Sequence, residues 1–105
     1  MIQKSTTRLK FKLPIRVMDS DTGLSTLSEL NISFVQDDKV VLTKYLGDCM
    51  LADNVVVTWL SDEETMRFKD GFVSIQIDGK TKNDGNSFVT KPKRLPVGRL
   101  LKGRR

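Results

Sequence analysis

Two acidic segments of this chain have residue types and spacings that could support chemistry, and the first resembles a calcium-binding loop. Asp19-Ser20-Asp21-Thr22-Gly23 has the D-x-D-x-G spacing of such a loop. A full loop would place an acid at the fifth position and a bidentate Glu at the twelfth, where this chain has Gly23 and Leu30. An Asp- and Gly-rich hairpin turn therefore explains the segment better than a metal site does. We predict no bound metal.

The second segment could supply paired catalytic carboxylates through Asp62, Glu63 and Glu64. These acids follow Ser61, and Ser with Glu three residues later is a capping box, where acids also favour the helix dipole. Cys49 is the only cysteine and histidine is absent, which removes the commonest general base and any Cys-His nucleophile. We therefore predict a protein that is not an enzyme and uses no cofactor.

The basic residues are concentrated at the two ends of the chain. Of the 18 Lys and Arg residues, five lie in residues 1–16 and seven in residues 91–105, and neither segment contains an acid. Charge sorted in this way acts on association and partner choice rather than on fold. The cations assigned to partner binding are Arg8, Lys10, Lys12, Arg16, Lys91, Lys93, Arg94, Arg99, Lys102, Arg104 and Arg105.

Both basic segments also have explanations that need no partner. Lysines on an edge strand protect a sheet from edge-to-edge aggregation. The C-terminal cations could belong to a solvated tail that only improves solubility. Against the second explanation, four aliphatic residues are interspersed among these charges, which favours an arm that lies on a neighbour. They are Leu95, Val97, Leu100 and Leu101.

Residues 8–18 alternate between apolar and polar side chains, which predicts a half-buried strand. Leu9, Phe11, Leu13, Ile15 and Val17 share the apolar face. Pro14 lacks a backbone N–H, which favours an edge position or a bulge for this strand.

Further strand patterns occur around residues 30–35, 40–45, 49–51, 55–59, 73–77 and 88–89. Trp59 is assigned to the core, and a helical turn is predicted near residues 62–68. Asp78-Gly79 and Asn83-Asp84-Gly85 are predicted to bracket a loop or a hairpin tip. Residues 97–101 are predicted to form a final short strand pairing or an arm.

These patterns predict an all-β protein, an antiparallel two-sheet β-sandwich of six or seven strands, with a small Greek-key barrel as the alternative. At 105 residues the chain is expected to form one domain. We assign residues 1–7 to an N-terminal extension, 8–90 to the sandwich, and 91–105 to a basic C-terminal strand or arm.

The hydrophobic pattern predicts neither a membrane span nor a secreted protein. No apolar run approaches the roughly 20 residues that a membrane helix needs. The first residues lack the apolar stretch of a signal peptide, and the lone cysteine agrees with a reducing compartment. We expect a protein made in the cytoplasm, with no membrane partner and no small-molecule substrate.

Several segments of the chain resemble, in order, those of a known family. They are Phe11-Lys12-Leu13-Pro14-Ile15-Arg16, Asp19-Ser20-Asp21-Thr22-Gly23, Leu60-Ser61-Asp62-Glu63-Glu64-Thr65, Gly71-Phe72-Val73-Ser74-Ile75-Gln76, Asp84-Gly85 and Val97-Gly98-Arg99-Leu100-Leu101. This order resembles small virion proteins of tailed phages that infect Gram-positive bacteria, including the immunoglobulin-like N-terminal module of some baseplate proteins.

The resemblance implies a non-enzymatic adaptor in a virion, made in the host cytoplasm and placed at the head, neck or baseplate. Its arms would lock onto neighbouring viral structural proteins. The acidic middle of one copy could receive the basic arm of the next, and such a head-to-tail contact closes into a ring when the rotation allows. The alternative function is a nucleic-acid-binding β module in which the same cations meet phosphates.

Overall fold

The protein is described here from a computed structural model, which covers residues 2–3, 7–18, 24–82 and 85–98. Within these residues the chain forms nine strands, one α-helical turn (α1, Asp62–Thr65) and one 3-10 turn (Leu46–Asp48). The strands are β1 Ile2–Gln3, β2 Thr7–Lys12, β3 Leu27–Gln36, β4 Lys39–Tyr45, β5 Cys49–Ala52, β6 Val55–Leu60, β7 Gly71–Thr81, β8 Ser87–Val89 and β9 Lys93–Gly98.

The strands form two sheets. The larger sheet has the order β1-β9-β7-β3-β4, and β8 pairs with β7 beyond the end of β9. The smaller sheet has the order β2-β6-β5. All pairings of these strands are antiparallel except that of β1 with β9. The predicted all-β, two-sheet sandwich is therefore confirmed. It has more strands than expected because β1 lies in the segment assigned to an N-terminal extension and β9 lies in the segment assigned to a C-terminal strand or arm.

The core lies between the two sheets and is built from the inward-facing side chains of both. Phe34 of β3 and Phe68, from the loop after α1, are fully buried with ring centroids 5.8 Å apart. Rings at this separation contribute beyond their buried area. The other core residues are Leu9, Phe11, Leu13, Val17, Leu27, Leu30, Ile32, Leu42, Val56, Leu60, Val73, Ile75, Ile77 and Val97.

The first basic strand lies at a sheet edge, as Pro14 predicted, because β2 pairs only with β6. It ends at Lys12 and not at residue 18, so the predicted length was wrong. Beyond Lys12 the chain lies against the β5–β6 connection, where the Leu13 N–H donates to Asn54 O (2.7 Å) and the Val17 N–H to Asp53 O (2.6 Å). Leu13 and Val17 are still buried, so the alternating pattern continues beyond the strand.

The end of the sandwich near α1 is held by two sets of side-chain hydrogen bonds. The predicted capping box is present: the Glu64 N–H donates to Ser61 Oγ and the Ser61 N–H to Glu64 Oε1. Buried Gln36 donates to Lys69 O and Phe72 O and accepts from the Lys69 N–H. All its polar atoms are therefore satisfied, and β3 is tied to the loop before β7.

Asp78-Gly79 does not form part of a loop, contrary to the prediction. Both residues lie inside β7, which continues to Thr81. Gly79 stands there because a Cβ at this position would overlap Glu29 O and lie 2.9 Å from Phe88 Cε1. The glycine serves close strand packing rather than a turn.

Candidate functional site

Trp59 lies on the outer face of the smaller sheet and is 40% exposed, so its assignment to the core was wrong. In β6 the inward-facing residues are Val56, Thr58 and Leu60, all fully buried. Thr58 is tolerated there because its hydroxyl donates to Asp48 O (3.3 Å). Trp59 points the other way by the strict alternation of a strand.

The outer face of the smaller sheet combines apolar and cationic side chains. Arg8 pairs in register with Trp59, while Val57 lies between Lys10 on β2 and Met50 on β5. A shallow hollow of about 400 Å³ is lined by Arg8, Met50, Val57 and Trp59 among others. We call these residues, Arg8, Lys10, Met50, Val57 and Trp59, the small-sheet face.

A second cationic site brings together residues from both ends of the chain. Lys12, at the end of β2, lines the same opening as Lys91, from the segment that joins β8 to β9, and Lys93, the first residue of β9. They line an opening between the free edge of β2 and the larger sheet, together with Thr90. We call the residues Lys12, Thr90, Lys91 and Lys93 the lysine cleft. This convergence depends on how the two sheets stack, so the sequence pattern did not reveal it.

Five of the predicted partner-binding cations are free of ion pairs with the described residues. They are Arg8, Lys10, Lys12, Lys91 and Lys93. Two others have partners within the chain: Arg16 Nε lies 3.0 Å from Asp53 Oδ1, and the Arg94 guanidinium stacks 4.4 Å from the centroid of the Phe72 ring. These two are brought to neither site.

The remaining predicted residues lie outside the part of the chain that the structure describes. They are Arg99, Lys102, Arg104 and Arg105, together with the candidate calcium loop at residues 19–23. Of the predicted C-terminal strand or arm, Lys93–Gly98 is strand β9. Val97 is 5% exposed there and belongs to the core.

Acidic residues collect at the end of the sandwich where α1 lies. The β3–β4 hairpin turns through Asp37 and Asp38, both with positive φ, as a two-residue turn requires. Lys69 Nζ lies 2.9 Å from Asp37 Oδ2 and connects this turn to the loop after α1. We define the acidic end as the exposed residues Asp37, Asp38, Asp62, Glu63 and Asp70.

The electrostatics of this end follow from two ion pairs. The hydrogen bond and charge of Lys69 lower the pKa of Asp37, and Asp37 in turn raises the pKa of Lys69. Burial alone would raise the pKa of Glu64. The hydrogen bonds and charge of Lys44, with the hydrogen bonds of Ser61, outweigh that effect and lower it. Lys44 Nζ lies 2.7 Å from Glu64 Oε2, and both side chains are mostly buried.

Cys49 is the one cysteine of the chain, and its thiol lies beside the small-sheet strand β6. Burial raises the pKa of the Cys49 thiol, which donates to Tyr45 O, so the thiol is held in its protonated, weakly nucleophilic form. Among the described residues no group of three or more Cys, Asp or Glu side chains could hold a metal ion. No helix of the described chain is long and apolar enough to cross a membrane.

No protein-family model, curated protein or solved structure matches this chain. Function is therefore inferred from the small-sheet face, the lysine cleft and the acidic end.

Proposed function

We propose that this protein is a non-enzymatic structural adaptor of a phage particle, which docks onto a neighbouring subunit through its small-sheet face. The observation that carries the proposal is the exposure of Trp59, Met50 and Arg8 around one hollow on the outer face of the smaller sheet. The phage setting and the immunoglobulin-like class come from the sequence resemblance.

The composition of the small-sheet face favours a protein partner. Trp, Met and Arg are enriched in protein interfaces, and Trp and Arg contribute most of the binding energy there. The Arg8 guanidinium and the Lys10 ammonium border the apolar centre and would meet carboxylates at its rim. A surface that stacks nucleic-acid bases places several aromatic rings along a cationic path, whereas this face exposes Trp59 alone among its five residues.

The acidic end supplies a receiving surface on a second copy. It carries five exposed acids, and the small-sheet face carries two cations without ion pairs to described residues. These surfaces differ in position and opposite charge attracts, so the contact would be head-to-tail and would build a ring or a chain of subunits. This is how one small domain would serve as a repeated structural unit.

Sedimentation velocity of the full-length protein over a concentration series tests this proposal. We expect reversible self-association that weakens with salt, because the contact pairs exposed charges. The sole tryptophan adds a direct probe: association should shift its emission to shorter wavelength and reduce its quenching by acrylamide.

Matched variants locate the contact. Arg8→Gln/Lys10→Gln should weaken self-association about tenfold or more, and Asp38→Asn/Glu63→Gln should do the same from the other side. Lys80→Gln/Lys82→Gln removes the same charge as Arg8→Gln/Lys10→Gln, from exposed positions outside both surfaces. Its association constant should stay within about twofold of the wild-type value. A protein that stays monomeric at every concentration, with Trp59 fully open to acrylamide, would contradict docking between copies.

Nucleic acid is the second candidate partner, favoured by the convergence of both basic ends at the lysine cleft. Binding to duplex DNA would then weaken with salt at a log–log slope of about −0.9 per phosphate contacted. Fluorescence anisotropy with labelled duplex and single-stranded DNA measures that slope.

A further inference from the structure

The lysine cleft has two connected parts with different walls. The inner part, of about 100 Å³, lies over the apolar side chains of Phe11, Ile75 and Ile77. The outer part, of about 490 Å³, is bounded by Leu13, Pro14 and Val89. Lys12, Thr90 and Lys91 line both parts. A ligand would therefore contact the lysines that the two parts share, and it would find apolar side chains in each part.

The charge in the cleft is one-sided. Lys12, Lys91 and Lys93 have no ion pair with a described residue, and no carboxylate is among the described residues that line either part. Three exposed lysines around one opening attract an anion of more than one charge. A single carboxylate would leave much of this charge uncompensated.

Thr90 adds a neutral donor at the same place. Its backbone N–H donates to Ile77 O (2.9 Å), and its Oγ1 accepts from the Ile77 N–H (3.3 Å). The threonine backbone is thereby fixed on β7, while the hydroxyl hydrogen remains available for a further acceptor. Hydroxyl and ammonium donors together suit an anion with several terminal oxygens.

We propose that the lysine cleft binds a nucleoside monophosphate, with its phosphate among Lys12, Lys91, Lys93 and Thr90 and its nucleoside against Leu13, Pro14 and Val89. A phosphate monoester carries about −1.5 to −2 charges near pH 7 and presents three acceptor oxygens. The inner volume exceeds the roughly 30 Å³ share of a water molecule and suits a compact tetrahedral group. The outer part is an open hollow that would hold the nucleoside against its apolar wall.

Two sources present this chemistry, a free nucleotide and the 5′-phosphate at the end of a nucleic-acid strand. The site shares no residue with the small-sheet face, so its success or failure is independent of the docking proposal. It differs from general attraction of polyanions because it requires the phosphate and the nucleoside on one ligand.

Calorimetric titration of the full-length protein with AMP, adenosine and inorganic phosphate tests the site. We expect AMP to bind at least tenfold more tightly than either fragment. Lys91→Gln/Lys93→Gln should weaken AMP binding tenfold or more, whereas Lys80→Gln/Lys82→Gln, with the same loss of charge, should stay within about twofold. If AMP binds no better than adenosine, or if both double variants lose binding equally, the proposal is overturned.

Two further measurements complete the test. Lys12→Gln, on the other sheet, should weaken AMP binding by itself, which keeps the site testable if the Lys91/Lys93 variant fails to fold. Competition by a 5′-phosphorylated oligothymidylate, with no competition by its unphosphorylated twin, would assign the strand end as the source. If neither oligothymidylate competes with AMP, the free nucleotide is assigned as the ligand. Displacement of AMP by a hexaglutamate peptide at equal concentration would overturn the proposal in favour of an acidic protein segment.

Discussion

At the residue scale, Gly79 fixes how closely β3, β7 and β8 approach one another. Replacing it with Ala would drive a methyl group into Glu29 O and toward the ring of Phe88. We expect Gly79→Ala to lower the free energy of unfolding by about 1–3 kcal/mol, as overpacking does where backbone must shift. Urea unfolding followed by circular dichroism measures the loss.

Gly47→Ala is the matched control for that substitution. Nothing lies within 4 Å of a Cβ at Gly47, which sits in the 3-10 turn. The free energy of unfolding of the Gly47→Ala variant should differ from that of the wild type by less than about 0.5 kcal/mol. Equal losses in the two variants would contradict the close strand contact at Gly79 as the cause, because the entropy of the unfolded chain alone favours Ala over Gly.

The charge of Glu64 should make the free energy of unfolding depend on pH. Its pKa is lowered in the folded protein, so its contribution is present above the unfolded pKa of about 4.3 and is lost as pH falls through the folded value. Glu64→Gln should cost about 1–2 kcal/mol at pH 7, because it leaves the mostly buried Lys44 ammonium without its anion. Below about pH 4 the difference should shrink toward zero.

Thermal unfolding of the wild type and Glu64→Gln between pH 7 and pH 3 measures this dependence. Glu63→Gln changes an exposed acid in the same helical turn and provides the control. Parallel stability curves for the wild type and Glu64→Gln across this range would show that the Lys44–Glu64 pair contributes nothing through charge.

At the element scale, β9 is part of the body of the sandwich. It pairs with β7 from Gly71 to Ile75 and contributes buried Val97 to the core, with Leu95 packed against it. A chain that ends at Gly98 keeps every described strand, so we expect it to unfold cooperatively near the full-length melting temperature. A chain that ends at Thr90 loses β9.

The shorter chain should lose about 3–5 kcal/mol, since each large aliphatic side chain returned to water costs about 1.5–3 kcal/mol. That is a large share of the roughly 5–15 kcal/mol typical of a domain. Differential scanning calorimetry of the two truncated chains gives the comparison. Equal stability of the two truncated chains would mean that β9 contributes nothing to the free energy of unfolding.

Elements with local signals were predictable from the sequence, and those fixed by pairing were not. The β2 alternation and the Ser61–Glu64 box each specify their structure within a few residues. In β6, Val55-Val56-Val57 makes both faces apolar, so only the pairing with β2 and β5 decides that Trp59 faces outward.

The sites show the same division between local and long-range information. The cations of β2 and their shared face can be recognised from the alternation of the sequence. Lys12 meets Lys91 and Lys93 only because the two sheets stack, and nothing in a linear pattern encodes that contact.

At the scale of the whole molecule, charge is partly separated in space as well as along the chain, since the acidic end also contains Lys39 and Lys69. The small-sheet face and the lysine cleft carry five cations without ion pairs to described residues, while five exposed acids lie at the α1 end. Separated charge gives a molecule a long-range orientation during encounter, which raises the association rate at low salt. A docking unit repeated around a particle would use that orientation.

The parallel pairing of β1 with β9 has a mechanical consequence. Ile2 lies opposite Val97 and Gln3 opposite Gly98, so the first and last described strands run side by side in the same direction. Tension applied to the two ends would pull these strands past each other and load their hydrogen bonds together, in shear, rather than one after another. Forced unfolding is governed by the rate of the opening step. The β1–β9 pairing would therefore bear the tension first, before the longer strands of the sandwich are loaded.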